Sequence, residues 1–212
     1  MLTSKDRLTK VINLEEPDHV PLHITVIGDW VDDVWKSTIE SQMEILHMGL
    51  DPILYLSPPW QCHPDVKVKL QMNNSPSEKY PILIKTYDTP KGQLRQVAVK
   101  TPDWPHGDDI PLFSDFVIPA SRTRERLIKD SADLKKLQYI LHGPSSDQVR
   151  LFRQEARKTK EYADEKGIML IGDGGYGGDA AIWICGFEKI LTAAHREPSF
   201  LSELLEIIHQ WD

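Results

Sequence analysis

The stretch that most restricts how this chain can fold is residues 168–191, IMLIGDGGYGGDAAIWICGFEKIL, where an apolar run meets a glycine cluster and then a helical pattern. Residues 168–171 are continuously apolar and too short for a helix, which predicts a strand buried on both faces of a parallel sheet. Four glycines follow within six positions, at 172, 174, 175 and 177. Gly172, Gly174 and Gly177 satisfy GxGxxG, but a dinucleotide site also needs a second strand ending in an acidic residue about 20 positions on. Residues beyond Ala180 instead keep a helical pattern through Ala194, and no GxxxxGK[ST] phosphate loop is present. What remains is a strand whose C-terminal end opens into a loop free of Cβ atoms, where a ligand can approach the backbone. Asp173, Tyr176 and Asp179 are its polar members. The plain alternative is a glycine-rich turn that closes a tight strand-to-helix connection.

Taken in order, the chain predicts a first helix capped by Ser4 with Asp6 in its first turn, ended by Pro17. A strand at 20–27 carries His23, a helix follows at 30–48 with Gly49 closing it, and a second buried strand lies at 51–57. Strand, helix, strand is the unit that builds parallel sheets. The loop SPPWQCHPD then leaves the second strand's C-terminal end. Its neighbours Cys62 and His63 do not make a metal site, which takes three or four ligands at workable spacing. From 66 to 119 the pattern alternates with period two, marking an antiparallel insertion with a turn at 89–92. The tail of that segment, TPDWPHGDDIPLFSD, reads as an ordered loop whose Trp104 and His106 either line a pocket or pack on prolines. Helices follow at 131–141, from Ser145 or Ser146 to Gly167, at 183–194 and at 200–211, the last with Leu201, Leu204, Leu205 and Ile208 as its core stripe.

With 212 residues, 40% of them hydrophobic, the chain can bury a sizeable core as one domain or two. A net charge of −7 argues against a nucleic-acid or anionic-membrane partner, whose binding draws on clustered Lys and Arg. No window approaches the ~18 apolar residues of a membrane helix, and the N-terminus lacks a signal-peptide core. The two cysteines make no disulfide framework. These features together place the chain in the cytoplasm.

The succession SKDRLTKVINLEEPDHVPLHI, TYDTPKGQLRQ, IKDSADLKKLQYIL, the glycine loop and HREPSFLSELLEIIHQWD resembles the N-terminal part of the uroporphyrinogen decarboxylase superfamily. The resemblance implies an α/β fold: an incomplete TIM (β/α)8 barrel spanning residues 1–212, with the antiparallel insertion at 66–119 and the strand ends facing an active site. The superfamily includes decarboxylases of porphyrin biosynthesis and methyltransferases that serve corrinoid proteins. Where the decarboxylases carry an arginine-bearing segment for a polycarboxylate substrate, this chain reads Gly28, Asp29, Trp30, Val31, Asp32, Asp33. Acids repel such a substrate, which favours the methyltransferase branch and a small methylated donor. A TIM barrel runs to about 250 residues, and the later strands, which resemble the family's zinc-ligand carriers, are not among these 212 residues. Zinc and a corrinoid partner are therefore expected of the complete parent protein, with no cofactor held by this chain. The open parallel edge predicts self-association or a partner chain that completes the barrel, and a non-catalytic, partner-binding fragment is the third reading.

If the strands lie parallel in one barrel, their C-terminal ends bring Asp173 and Tyr176 together with His23, Trp30, Trp60 and Gly174 around a small-molecule substrate. Asp173 is expected to accept a proton or orient a donor, and Tyr176 to donate a hydrogen bond to developing negative charge. The alternatives are a helix cap for Asp173 and a core position for Tyr176.

Overall fold

In a computed structural model, the structure describes residues 2–24, 39–104, 106–113, 122–172 and 176–211. It is a mixed α/β protein with a parallel sheet and a four-stranded antiparallel sheet, and no closed barrel among the described residues. No helix among those residues is long and apolar enough to cross a membrane. The chain divides into two compact units, residues 1–59 with 145–174, and residues 60–144 with 175–212.

The first unit begins with helix α1 (Ser4–Ile12). Its cap is Thr3, one residue before the expected Ser4, because a capping box needs its second member at the third helical position. Thr3 and Asp6 have that spacing: the Asp6 N–H donates to Thr3 Oγ1 at 3.1 Å and the Thr3 N–H to Asp6 Oδ2 at 3.2 Å. The helix ends at Ile12, five residues before the expected stop at Pro17. Helix α2 (Ile39–His47) is closed by Gly49 at φ +80°, and strand β1 (Ile53–Leu56) follows. Later in the chain, helix α4 (Ser146–Lys166) starts at the Ser145–Gln148 capping box and ends at left-handed Gly167. It leads into strand β6 (Met169–Gly172), which pairs with β1 in parallel, Ile53 opposite Met169. Leu54, Ala163 and Ile168 form the core between these elements.

Two expectations change here. Residues 20–24 form no regular strand, and 25–27 lie outside the described residues, as do 30–38 of the expected second helix. Nor is β6 buried on both faces: Ile171 is 36% exposed, and opposite it Tyr55 is 48% exposed. Full burial needs neighbouring strands and helices over both faces, and among the described residues this sheet has two strands.

Residues 20–24 are held instead by Asp51. Its backbone N–H donates to the Leu22 carbonyl at 2.9 Å, and its carboxylate accepts the Leu22 N–H at 3.0 Å. The same carboxylate, 1% exposed, takes Arg7 Nη1 at 2.5 Å. Arg7 also donates from Nε to Asp18 at 2.7 Å, so α1, the 18–23 segment and the start of β1 meet at one buried ion pair.

The second unit holds strands β2 (Lys67–Asn73), β3 (Ile82–Thr89), β4 (Gly92–Val99) and β5 (Thr123–Glu125), paired antiparallel in that order. The turn expected at 89–92 joins β3 to β4, and Gly92 sits at φ +116°. Helices α3 (Ser131–Ile140), α5 (Gly177–Cys185), α6 (Phe187–Arg196) and α7 (Pro198–Trp211) complete the unit, with Tyr87, Leu94, Leu134, Ile184 and Leu204 in its main core. One helix is expected at 183–194, but the chain breaks at Gly186, whose φ is +90°. A Cβ there would lie 3.1 Å from Arg126 Nε, so glycine makes the corner. In α7 the expected Leu205 is 38% exposed, whereas Ile207 is 6% exposed and joins Phe200, Leu204 and Ile208 inward.

Replacing Arg7 with Leu strands the Asp51 carboxylate in the interior, and urea unfolding is expected to show a loss of about 3–5 kcal/mol. Acid acts on the same region. The Arg7 hydrogen bond lowers the Asp18 carboxyl from 3.8 to about 2, and Lys160 with Lys5 does the same to Asp164. Carboxyls depressed in the fold contribute stability that is present above about pH 4 and lost as pH falls through about 2. Melting temperature is therefore expected to drop between those limits, and by less in Asp18→Asn.

Candidate functional site

The second unit gathers five aromatic side chains from distant parts of the chain. Phe113, in the loop after β4, is the hub, with ring centroids 5.1 Å from Trp211, 5.4 Å from Tyr176, 6.0 Å from Trp183 and 6.4 Å from Trp60. Trp60 meets Trp211 edge-on at 6.0 Å, and Tyr176 packs on Trp183 at 5.1 Å. Helical spacing explains the last pair: Trp183 lies seven residues beyond Tyr176, two turns along one face of α5. Trp211 ends the buried stripe of α7. These tilted and edge-on geometries suit the ring quadrupoles, and each contact is worth about 0.5–1.5 kcal/mol beyond its buried area. The cluster is not a closed core, since Trp60 is 42% and Tyr176 40% exposed. It is an aromatic surface on which a flat or apolar group can rest.

Trp183 also borders a cavity of about 740 Å³ set against the corner between α5 and α6, with Val97, Leu112, Leu127, Arg126 and Lys189 in its wall. The Arg126 guanidinium donates to the Trp183 carbonyl at 3.2 Å. That carbonyl belongs to the last turn of α5, where a cation complements the helix dipole. Burial holds this guanidinium below its ordinary range. The Cys185 thiol in the same wall is pushed up to about 12 by desolvation, so it stays protonated and is no nucleophile near neutral pH. In the loop after β4, Trp104 meets His106 edge-on with ring centroids 5.5 Å apart. Trp104 packs with Leu83, Ala98 and Ile110 and donates from Nε1 to the Asp109 carbonyl at 3.1 Å.

Of the residues expected to form a site, Tyr176 and Trp60 meet on the aromatic surface through Phe113 and Trp211. His23 belongs to the first unit, where its Nδ1 donates to the Asp51 carbonyl at 3.0 Å. Asp173, Trp30 and Gly174 lie outside the described residues. Tyr176 occupies the position before α5 and makes no side-chain cap there. Sequence reasoning passed over Phe113, Trp183 and Trp211. The spacing from Tyr176 pointed to Trp183, but nothing local marked Phe113. Among the described residues no three of His, Cys, Asp and Glu are grouped so as to hold a metal ion, and His63 and His142 stand as a pair with ring centroids 5.0 Å apart.

Compared with known proteins, the chain matches no family model, no curated protein and no solved structure.

Gly177 opens α5 at φ +47°, with nothing within 4 Å of where a Cβ would stand. The cost of a side chain there is backbone strain alone, so Gly177→Val is expected to lose about 1–2 kcal/mol. A thermal melt checks this, and the accompanying tryptophan emission reports whether Tyr176 has left the cluster.

Proposed function

We propose that the chain is the N-terminal portion of a uroporphyrinogen decarboxylase-like (β/α)8 barrel, and that its parent enzyme moves a methyl group from a small methylated donor to a corrinoid protein. The parallel pair β1 and β6 supports the barrel reading, since Ile53 to Leu56 run beside Met169 to Gly172 in the same direction, as neighbouring strands of such a barrel do. The observation that carries the choice of chemistry is the aromatic surface around Phe113. Its rings favour an apolar or methylated group, whereas uroporphyrinogen bears many carboxylates that call for forked guanidinium partners. Beside Trp183, the Arg126 guanidinium donates to that residue's main-chain carbonyl. In this reading Trp60 supplies a wall for the donor and Tyr176 a hydrogen bond to the departing group. The protein works in the cytoplasm in this reading.

Tryptophan fluorescence tests the reading directly, since Trp60, Trp183 and Trp211 all lie in the cluster. Methylated amines, thiols and alcohols are titrated against uroporphyrinogen. Saturable quenching by a methylated donor is expected, at least tenfold weaker in Trp60→Ala, together with methylation of an added corrinoid protein seen in its visible spectrum. Quenching by uroporphyrinogen with release of carbon dioxide would establish the decarboxylase instead. A stable stoichiometric complex with neither activity would establish the partner-binding fragment.

A further inference from the structure

Strand β2 is the edge of the antiparallel sheet, and all seven of its residues are exposed. Among the described residues nothing pairs with its outer edge. Its register against β3 sets Val68 opposite Tyr87, Leu70 opposite Lys85 and Met72 opposite Leu83. Residues directly opposite share a face. Tyr87, Lys85 and Leu83 are 2%, 9% and 0% exposed, while Val68, Leu70 and Met72 are 44%, 45% and 53% exposed. The core-side face of the sheet is thus covered over β3 and runs out uncovered over β2. An open edge beside an apolar row is a template for another strand.

We propose that this edge pairs with its own copy, joining two chains about a two-fold axis at Leu70 into one continuous antiparallel sheet. The sequence KVKLQMN selects the partner. With the axis at Leu70, Val68 faces Met72 of the second copy, Lys69 faces Gln71, and Lys67 faces Asn73. Every apolar residue meets an apolar one and no lysine meets a lysine. Moving the axis to Lys69 sets that residue against itself, and moving it to Gln71 carries Lys67 and Val68 past the end of the opposing strand. A half-residue shift sets the apolar row against the polar one. Lysines on an edge commonly discourage pairing, but Lys67 and Lys69 lie on the face opposite the apolar row, where they exclude the wrong registers. The remaining like-charge approach is the diagonal one between the two copies of Lys69. It is relieved because each Lys69 ammonium is held by Asp88 at 2.6 Å. The interface is isologous and closes on itself, so it yields a dimer and no filament.

The test uses the whole chain. Sedimentation velocity is expected to show a concentration-dependent dimer whose dissociation constant rises at least tenfold in Leu70→Lys. Leu70 is nearly half exposed, so that variant has no core to lose. Cysteine trapping reads the register. Residues opposite across an antiparallel pair have Cα atoms about 4.5–5.5 Å apart, within disulfide range. Under mild oxidation Leu70→Cys is expected to cross-link with itself, and Val68→Cys with Met72→Cys when the two chains are mixed, above the background set by Cys62 and Cys185 in the unaltered chain. A monomer at all concentrations would overturn the proposal. So would a dimer indifferent to Leu70→Lys, or Val68→Cys cross-linking to itself as fast as Leu70→Cys.

Discussion

The buried carboxylate of Asp51 is the interaction on which the first unit depends. A carboxylate 1% exposed is costly to desolvate unless it is paired and hydrogen-bonded. Arg7 donates to Oδ1 and the Leu22 N–H to Oδ2, while the Asp51 N–H donates to the Leu22 carbonyl and the Asp51 carbonyl accepts from His23 Nδ1 in the same place. Four points of the chain are thereby fixed at the start of β1 before any apolar packing is counted. Arg7 in turn holds Asp18, and the Lys5 N–H donates to the Gly167 carbonyl at 2.8 Å, so α1 is tied to the end of α4 as well. The small core of Leu54, Ala163 and Ile168 closes against that frame.

The second unit solves the same problem with a lysine. Lys85 points into the sheet's covered face, where Asp109 takes its ammonium at 2.6 Å and the Ile110 carbonyl at 2.9 Å. This pins the loop after β4 to the middle of β3. Phe113 follows three residues after Ile110, so the hub of the aromatic surface sits on an anchored backbone. The surface thus depends on a buried polar contact outside it. An aromatic cluster that is half open costs apolar exposure, and a molecule that rests on it recovers that free energy.

Sites built from aromatic rings favour shape and polarisability over charge, and the proposed preference for a methylated donor over a polycarboxylate rests on that. The acids at 28–33 point the same way from sequence. The open edge of β2 is a separate matter and lies on a different strand from the parallel edge that first suggested association. A parallel edge is expected from an incomplete barrel, whereas the β2 edge follows from the alternation of lysine and apolar residues in one heptapeptide.

Sequence alone determined the period-two strands at 67–99, the 89–92 turn, the Ser145 to Gly167 helix and the strand before the glycine cluster. These rest on local physics: alternation, caps and the positive φ of glycine act within a few residues. It also brought Trp60 and Tyr176 forward, because aromatic and loop residues near strand ends stand out in a linear reading. Only the tertiary structure decided the rest. The start of α1 is tied to the end of α4 by the Lys5 N–H, which donates to the Gly167 carbonyl, and the helix broke at Gly186, where Arg126 takes the space a Cβ would occupy. Leu205 gave way to Ile207 because the direction from which α7 is covered is set by α3, α5 and α6. Phe113 became the hub of the site through contacts with rings 53 to 98 residues away in the chain, and no local pattern encodes separations of that length.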